Sequence, residues 1–194
     1  MNLVFNDKDD AHQYLLNAAE VPSVTTVIGE VVGHIIRASE WHMERGRIHH
    51  ACYALIAQGI DFKYSDYSEP WIEGCRKFFR EVNPEILGVE QLVASEKYQY
   101  AGTLDLMVML NKKLTVLDFK NTASGTDAMQ CAGYSIAHEE MKGGKIKQVA
   151  TVQINGDGGY KMTELVKGSE LLRARREFLA CRAVYEIKNR EGLL

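Results

Sequence analysis

Residues 100–120, YAGTLDLMVMLNKKLTVLDFK, carry two aspartates in positions where an aspartate is hard to place. Residues 103–110 are apolar or β-branched at nearly every position, with Asp105 the exception, and residues 114–119 repeat the pattern around Asp118. Runs of this kind read as strands buried on both faces. Asn111, Lys112 and Lys113 between them read as the turn of a hairpin. A carboxylate inside such a strand is costly to desolvate unless a partner or a cation compensates it. Side chains alternate along a strand, so Asp118 and Lys120 share one face. Carboxylates from two adjacent strands, with an ammonium group two residues past the second, therefore predict a metal site.

The rest of the chain is ordinary enough to let that feature stand out. At 194 residues with 46% hydrophobic content it can bury a real core, and one domain is expected. A net charge of −3 gives no general basic coat, so an anionic partner would have to be met by a local patch or by metal ions. Cys52, Cys75, Cys131 and Cys181 lie far apart with no CxxC pair, which reads as buried free thiols rather than a zinc framework. Without a signal peptide or a long apolar run, a reducing cytoplasm is the expected compartment, with no membrane partner.

Along the chain, Asn6 and Asp7 precede an apolar pattern at Tyr14, Leu15 and Ala18, which predicts a short capped helix over 6–20. Pro22 breaks it, and Ser23 or Thr25 can cap one or two helices over 26–60. Another helix is predicted over 70–82, with Trp71, Cys75, Phe78 and Phe79 on its apolar side, ended by Asn83-Pro84. Three strands follow, at 89–95, 100–110 and 114–120. Thr126 or Asp127 can cap a helix that Gly143-Gly144 stops. A second strand pair spans 148–154 and 159–166. The final helix, from Ser169, buries Leu171, Ala174, Phe178, Cys181 and Tyr185, and its other face carries Arg173, Arg175, Arg176 and Arg182. This order predicts a single α/β or α+β core. Residues 1–85 form a mainly helical lead-in to a sheet and its flanking helices in 86–194.

Around the two aspartates, other residues have fitting chemistry. Asp105 and Asp118 are the hard oxygen donors that Mg²⁺ or Mn²⁺ requires. Glu90, opening the preceding strand, offers a third carboxylate or a plain solvent-facing side chain. Gln130 and Tyr134 are four apart, hence on one helix face near the strand ends. There they can hold a phosphate or a base, although Tyr134 reads equally well as core. One of His49 and His50 can face the metal, while Arg45 and Arg47 contact backbone phosphates. Trp41 reads as core rather than as a base-stacking platform, and the C-terminal arginine face as a solvated surface.

Glu90, then AGTLDL with Asp105, LDFK with Asp118 and Lys120, and QCAGY with Gln130 and Tyr134 together resemble the PD-(D/E)XK nuclease superfamily, nearest its RecB-type and phage exonuclease branch. RGRIHH resembles that branch's Gly-x-x-x-His element, which selects His50, and VPSVTTVIG resembles its lead-in. The resemblance spans about residues 21–134. It implies a restriction-endonuclease-like central mixed β-sheet flanked by helices, with an N-terminal helical segment, and hydrolysis of DNA phosphodiesters with one or two Mg²⁺ or Mn²⁺ ions. By the same resemblance His50, Asp105, Asp118 and the Phe119 carbonyl bind metal, with Glu90 direct or through water. Lys120 is then the catalytic lysine, and Gln130 and Tyr134 support the site and the DNA strand. Relatives with an iron–sulfur cluster place three cysteines together near the C-terminus; only Cys181 lies there, so no cluster is expected. The implied activity is an exonuclease acting at DNA ends or on single strands, in phage or bacterial replication, recombination or repair. A replication or recombination protein as partner, and the oligomeric state, stay open. The competing readings are a structure- or sequence-selective endonuclease of the same fold and a catalytically silent DNA-binding recombination partner.

Overall fold

The computed structural model describes residues 1–8, 11–33 and 40–194. Its centre is a mixed six-stranded sheet built from β4 (Glu85–Ser95), β5 (Tyr100–Leu110), β6 (Lys113–Lys120), β7 (Gln148–Ile154), β8 (Tyr160–Met162) and β9 (Val166–Lys167). The first five lie side by side in that order, and β9 pairs with β7. Every pairing is antiparallel except β6 with β7. A parallel neighbour needs a long crossover, and helix α4 (Asp127–Lys142) supplies it. Helices α1 (Val24–Val32), α2 (Glu40–Ala57), α3 (Glu69–Val82) and α5 (Gly168–Arg190) complete the set among the described residues.

Burial on both faces of β5 and β6 produces two separate cores. On one face Met107 and Val116 pack with Val24 and Val27 of α1, Ala132 of α4 and Phe178 of α5. On the other, Leu106, Leu117 and Phe119 pack with Tyr53 of α2 and Cys75 and Phe78 of α3. All four cysteines are buried free thiols. No helix among the described residues is long and apolar enough to cross a membrane.

The hairpin joining β5 and β6 closes in two residues. Leu110 pairs with Lys113, and Asn111 and Lys112 both take positive φ, 52° and 58°. That is the backbone twist tight hairpins need, but it strains a lysine. Lys112→Gly is therefore expected to stabilise the protein by about 0.5–1 kcal/mol, read as a higher urea midpoint at unchanged slope.

The N-terminal segment departs from the sequence expectation. In place of a helix over 6–20 it forms an antiparallel meander of β1 (Leu3–Lys8), β2 (Ala11–Leu16) and β3 (Ala19–Val21). The controlling period is two: Leu3 and Phe5 on β1, and Tyr14 and Leu16 on β2, pack against Leu92, Ala94 and Ala101 of the main sheet. The turn between β2 and β3 uses Asn17 and Ala18 at positive φ, with no glycine to announce it. The lead-in over 1–85 therefore opens with three strands, and its helices begin at Val24. The predicted helices over 26–60 are α1 and α2, and the part of that stretch at 34–39 lies outside the described residues. Ser23 is the cap of α1, its Oγ accepting from the Thr26 N–H at 2.9 Å.

Two further expectations shift. The strand over 159–166 is split into β8 and β9, because Thr163 joins Thr151 through its hydroxyl as well as its N–H. On α5, Arg175 is not free in solvent: it donates to both Glu139 oxygens and to Ser135 Oγ. Arg182 donates to the Gln99 carbonyl.

Candidate metal centre

The β5–β6 ladder runs from Leu110↔Lys113 back to Leu106↔Leu117. One position further, Asp105 comes opposite Asp118, and there the ladder stops. The Phe119 N–H donates instead to Asp105 Oδ2, at 2.6 Å. A side-chain carboxylate thus takes the place of a ladder carbonyl, which explains how so apolar a strand tolerates it. Asp118 and Lys120 share their side of β6 with Val116, on the face that α4 covers. Alternation breaks at Asp105, since Leu104 and Met107 pack in one core and Leu106 in the other, and Asp105 reaches His50 of α2.

Asp118 is held on both oxygens. Gln130 Nε2 donates to Oδ1 at 3.1 Å, and the Lys120 ammonium meets Oδ2 at 2.7 Å. The same ammonium donates to Gln130 Oε1 at 2.9 Å, and Gln130 Nε2 also donates to the Tyr134 hydroxyl at 3.1 Å. Apart from this short ion pair with Lys120, no donor among the described residues reaches Asp118 Oδ2, which is fully buried. Tyr134 is able to lie here because residue 102 is glycine: a Cβ at Gly102 would stand 2.7 Å from the ring. Gly102→Ala is accordingly expected to cost about 1–3 kcal/mol in urea unfolding and to push Tyr134 off Gln130.

The second half of the site comes from α2 and β4. His50 Nδ1 lies 3.3 Å from Asp105 Oδ2. Glu90 sits between the Val89↔Leu106 and Gln91↔Leu104 pairs, inside β4 rather than at its start. Its φ of 47° breaks the strand's alternation, a strained backbone of the kind found at working sites. His50, Glu90 and Asp105 each offer a ligand atom, all within 4.8 Å of one another. That mixed imidazole and carboxylate set suits a divalent cation; Asp118 is not one of the three, although its charge acts on His50 and Glu90.

Charge crowding is written into the proton affinities. Burial and then the neighbouring Asp105 raise Glu90 to about 7. Burial, outweighing Lys120, and then Asp105 raise Asp118 to about 6. Burial works against the charged forms of His50 and Asp105, yet each overcomes it for the other. His50 rises to about 9, chiefly through Asp105, and Asp105 falls below the usual carboxylate range, chiefly through His50. Lys120, despite burial, is pushed above its ordinary value by Asp118 and stays an ammonium. A cluster with more negative charge than its protein neighbours balance favours a bound cation.

The remaining candidates are placed differently from one another. His49 turns away from the cluster, fully buried, with its ring 4.9 Å from Trp71 and Nδ1 3.4 Å from Asn121 Oδ1. Arg45 is clamped by aromatic rings, its guanidinium 4.8 Å from the centre of Trp41 and 5.6 Å from that of Trp71. Arg47 instead pairs with Glu44 and lines a groove that opens from His50 and Glu90. Trp41 is not core: it is 54% exposed, edge-on to Tyr67. Sequence reasoning missed Asn121, which follows Lys120 and takes the Tyr53 hydroxyl as well as His49. It also missed Phe5 and Tyr14, which wall the groove; the period-two pattern of β1 and β2 was the available signal.

No family model matches this chain, and no curated protein matches it. Among solved structures, it is similar to an alkaline exonuclease, LHK-Exo, from Laribacter hongkongensis. Identity is 12%, over 88% of this chain and 92% of that one, at a TM-score of 0.38. LHK-Exo in complex with dAMP gives 12% identity, 89% and 93% coverage and a TM-score of 0.37. A structure of SSO0001 gives 11% identity, 71% and 86% coverage and a TM-score of 0.29.

Proposed function

We propose that the chain is a single divalent-metal-dependent deoxyribonuclease domain that hydrolyses phosphodiester bonds from DNA ends, in phage or bacterial replication, recombination or repair. The observation that carries the reading is the meeting of two groups on adjacent strands. His50, Glu90 and Asp105 offer ligands close to one another, and the paired Asp118 and Lys120 are near enough to feel the charges of Asp105 and His50. Mg²⁺ or Mn²⁺ is the ion proposed, held by those three side chains with Asp118 and the Phe119 carbonyl completing the set. When bound, such an ion polarises a phosphoryl oxygen and lowers the pKa of a coordinated water.

The chain's own residues do the rest. Lys120, kept protonated by Asp118, presents a positive charge to the phosphate as negative charge grows on it, and orients the attacking water. Gln130 holds Lys120 and Asp118 at fixed separation, and Tyr134 holds Gln130. Arg47, on the rim of the groove, positions the DNA backbone. In a chain of net charge −3 these local cations, with the bound ion, are what draws DNA in.

The test is digestion of linear duplex, linear single-stranded and covalently closed circular DNA with Mg²⁺ or Mn²⁺. Linear DNA is expected to be shortened from its ends and closed circles left intact. Asp118→Ala should lower the rate on the order of 10²–10³-fold or more. Nicked or linearised circles would make the protein an endonuclease. No cleavage with any ion, together with DNA binding indifferent to EDTA, would leave a silent binding partner.

A further inference from the structure

Helix α2 brings His50 to the metal cluster, and the rotation of α2 about its own axis decides where that ring points. Successive residues lie about 100° apart around a helix, so whatever holds the neighbouring face also aims His50. That face carries His49 and Tyr53, one turn apart and both fully buried. Asn121 Oδ1 accepts from both, from His49 Nδ1 at 3.4 Å and from the Tyr53 hydroxyl at 3.4 Å. The nitrogen of the same amide packs on α2 a turn earlier: a Cβ on Gly46 would stand 3.9 Å from Asn121 Nδ2. One side chain thus spans two turns of the helix. Both hydrogen bonds are long, yet His49 Nε2 is buried without a partner, which leaves the bond to Asn121 as the hydrogen bond of that ring among the described residues. Tyr53 also packs on Phe119, ring centres 5.0 Å apart. Asn121 directly follows Lys120, so the strand end that presents the lysine also presents the amide.

We infer that Asn121 is a positioning residue for the metal centre: it fixes the rotation of α2 and so holds His50 against Asp105 in the geometry that receives the ion. Without that oxygen two buried donors are left unpaired, and the helix gains by turning them toward water, which swings His50 off Asp105. Groups that orient a ligand in this way act on ion affinity although they never touch the ion. The inference rests on the metal reading of the cluster and adds to it a residue outside the donor set.

Two readings test it, neither of which involves DNA. Mn²⁺ uptake by the metal-free protein is followed by counting the free ion with electron paramagnetic resonance, and the ring nitrogens of His50 are followed by NMR in EDTA. Asn121→Leu, close in size but without an acceptor, is expected to weaken Mn²⁺ binding by about 10- to 100-fold and to move the His50 resonances. Tyr53→Phe keeps the ring and removes one of the two donors; it should weaken binding by about 2- to 10-fold and move the same resonances less. Leu171→Ala, a destabilising change in the core on the opposite face of the sheet, should alter neither reading. Unchanged Mn²⁺ affinity or unmoved His50 resonances in Asn121→Leu, or in Tyr53→Phe should the leucine variant not fold, would overturn the assignment. Equal weakening in Leu171→Ala would overturn it too, reducing Asn121 to general support of the fold. A wild type that takes up no Mn²⁺ would remove the metal centre, and the His50 resonances would then decide the role of Asn121 by themselves.

Discussion

Lys120→Met is expected to lower single-turnover DNA hydrolysis on the order of 10²–10³-fold and to destabilise the fold at the same time. Methionine keeps the length of the stem but leaves Asp118, at 2% side-chain exposure, without its counter-charge. Breaking a buried pair from one side costs about 3–5 kcal/mol. The lower end applies here, because the lysine side chain is 21% exposed and Gln130 still donates to Asp118. The double variant Lys120→Met/Asp118→Asn separates the two consequences. With both charges gone, most of the stability should return in urea unfolding, since no unpaired charge is left buried. Activity should not return. Full activity in Lys120→Met would reduce the lysine to a structural counter-ion.

Adding Mn²⁺ or Mg²⁺ to the metal-free protein should raise its melting temperature by roughly 5–10 °C at a hundred times the dissociation constant. Selective binding at that ratio contributes about 2.7 kcal/mol, and each kcal/mol moves a chain of this size by about 2–4 °C. Asp105→Asn should abolish the response. Asparagine can still accept from the Phe119 N–H, so the strand end is expected to survive while the charged ligand is lost. Glu90→Gln should act with opposite signs in the two states. It relieves the crowding against Asp105, so the metal-free protein melts higher, and it removes a ligand, so the added ion stabilises less. Thermal melts with and without ion, followed by circular dichroism, read both effects without any assay of cleavage. A Glu90→Gln protein that melts lower in EDTA and responds fully to the ion would place Glu90 outside the cluster.

Part of this arrangement is legible in the sequence, because a carboxylate in an apolar strand needs a partner: Asp105 finds the Phe119 N–H, and Asp118 finds Lys120 and Gln130. The shared face of Asp118 and Lys120 followed from the strand period alone, and the four-residue spacing of Gln130 and Tyr134 put both on one side of α4. Between His49 and His50 the helical pattern left the choice open. Packing separates them: one is drawn under Trp71 and Asn121, the other meets Asp105. The N-terminal meander was misread for a local reason. Asn6 and Asp7 look like a helix cap, and the turn at Asn17 and Ala18 adopts a backbone that glycine usually signals. Trp41 was assigned to the interior on hydrophobicity, but its ring carries a guanidinium from Arg45. The groove could not be read at all, since its two walls come from segments that meet only through tertiary packing.

The bond from the Phe119 amide to Asp105 has a bearing on how the proposed ion would be met. A carboxylate fastened to main chain at a sheet's interior is as immobile as the sheet, and its companions come from β4 and α2 rather than from surface loops. Such a receptor is ready-made before anything arrives. Little freedom remains to be surrendered on capture, so tight retention is compatible with a small number of protein donors. For the proposed nuclease, the part that moves during turnover would then be the nucleic acid rather than the receptor.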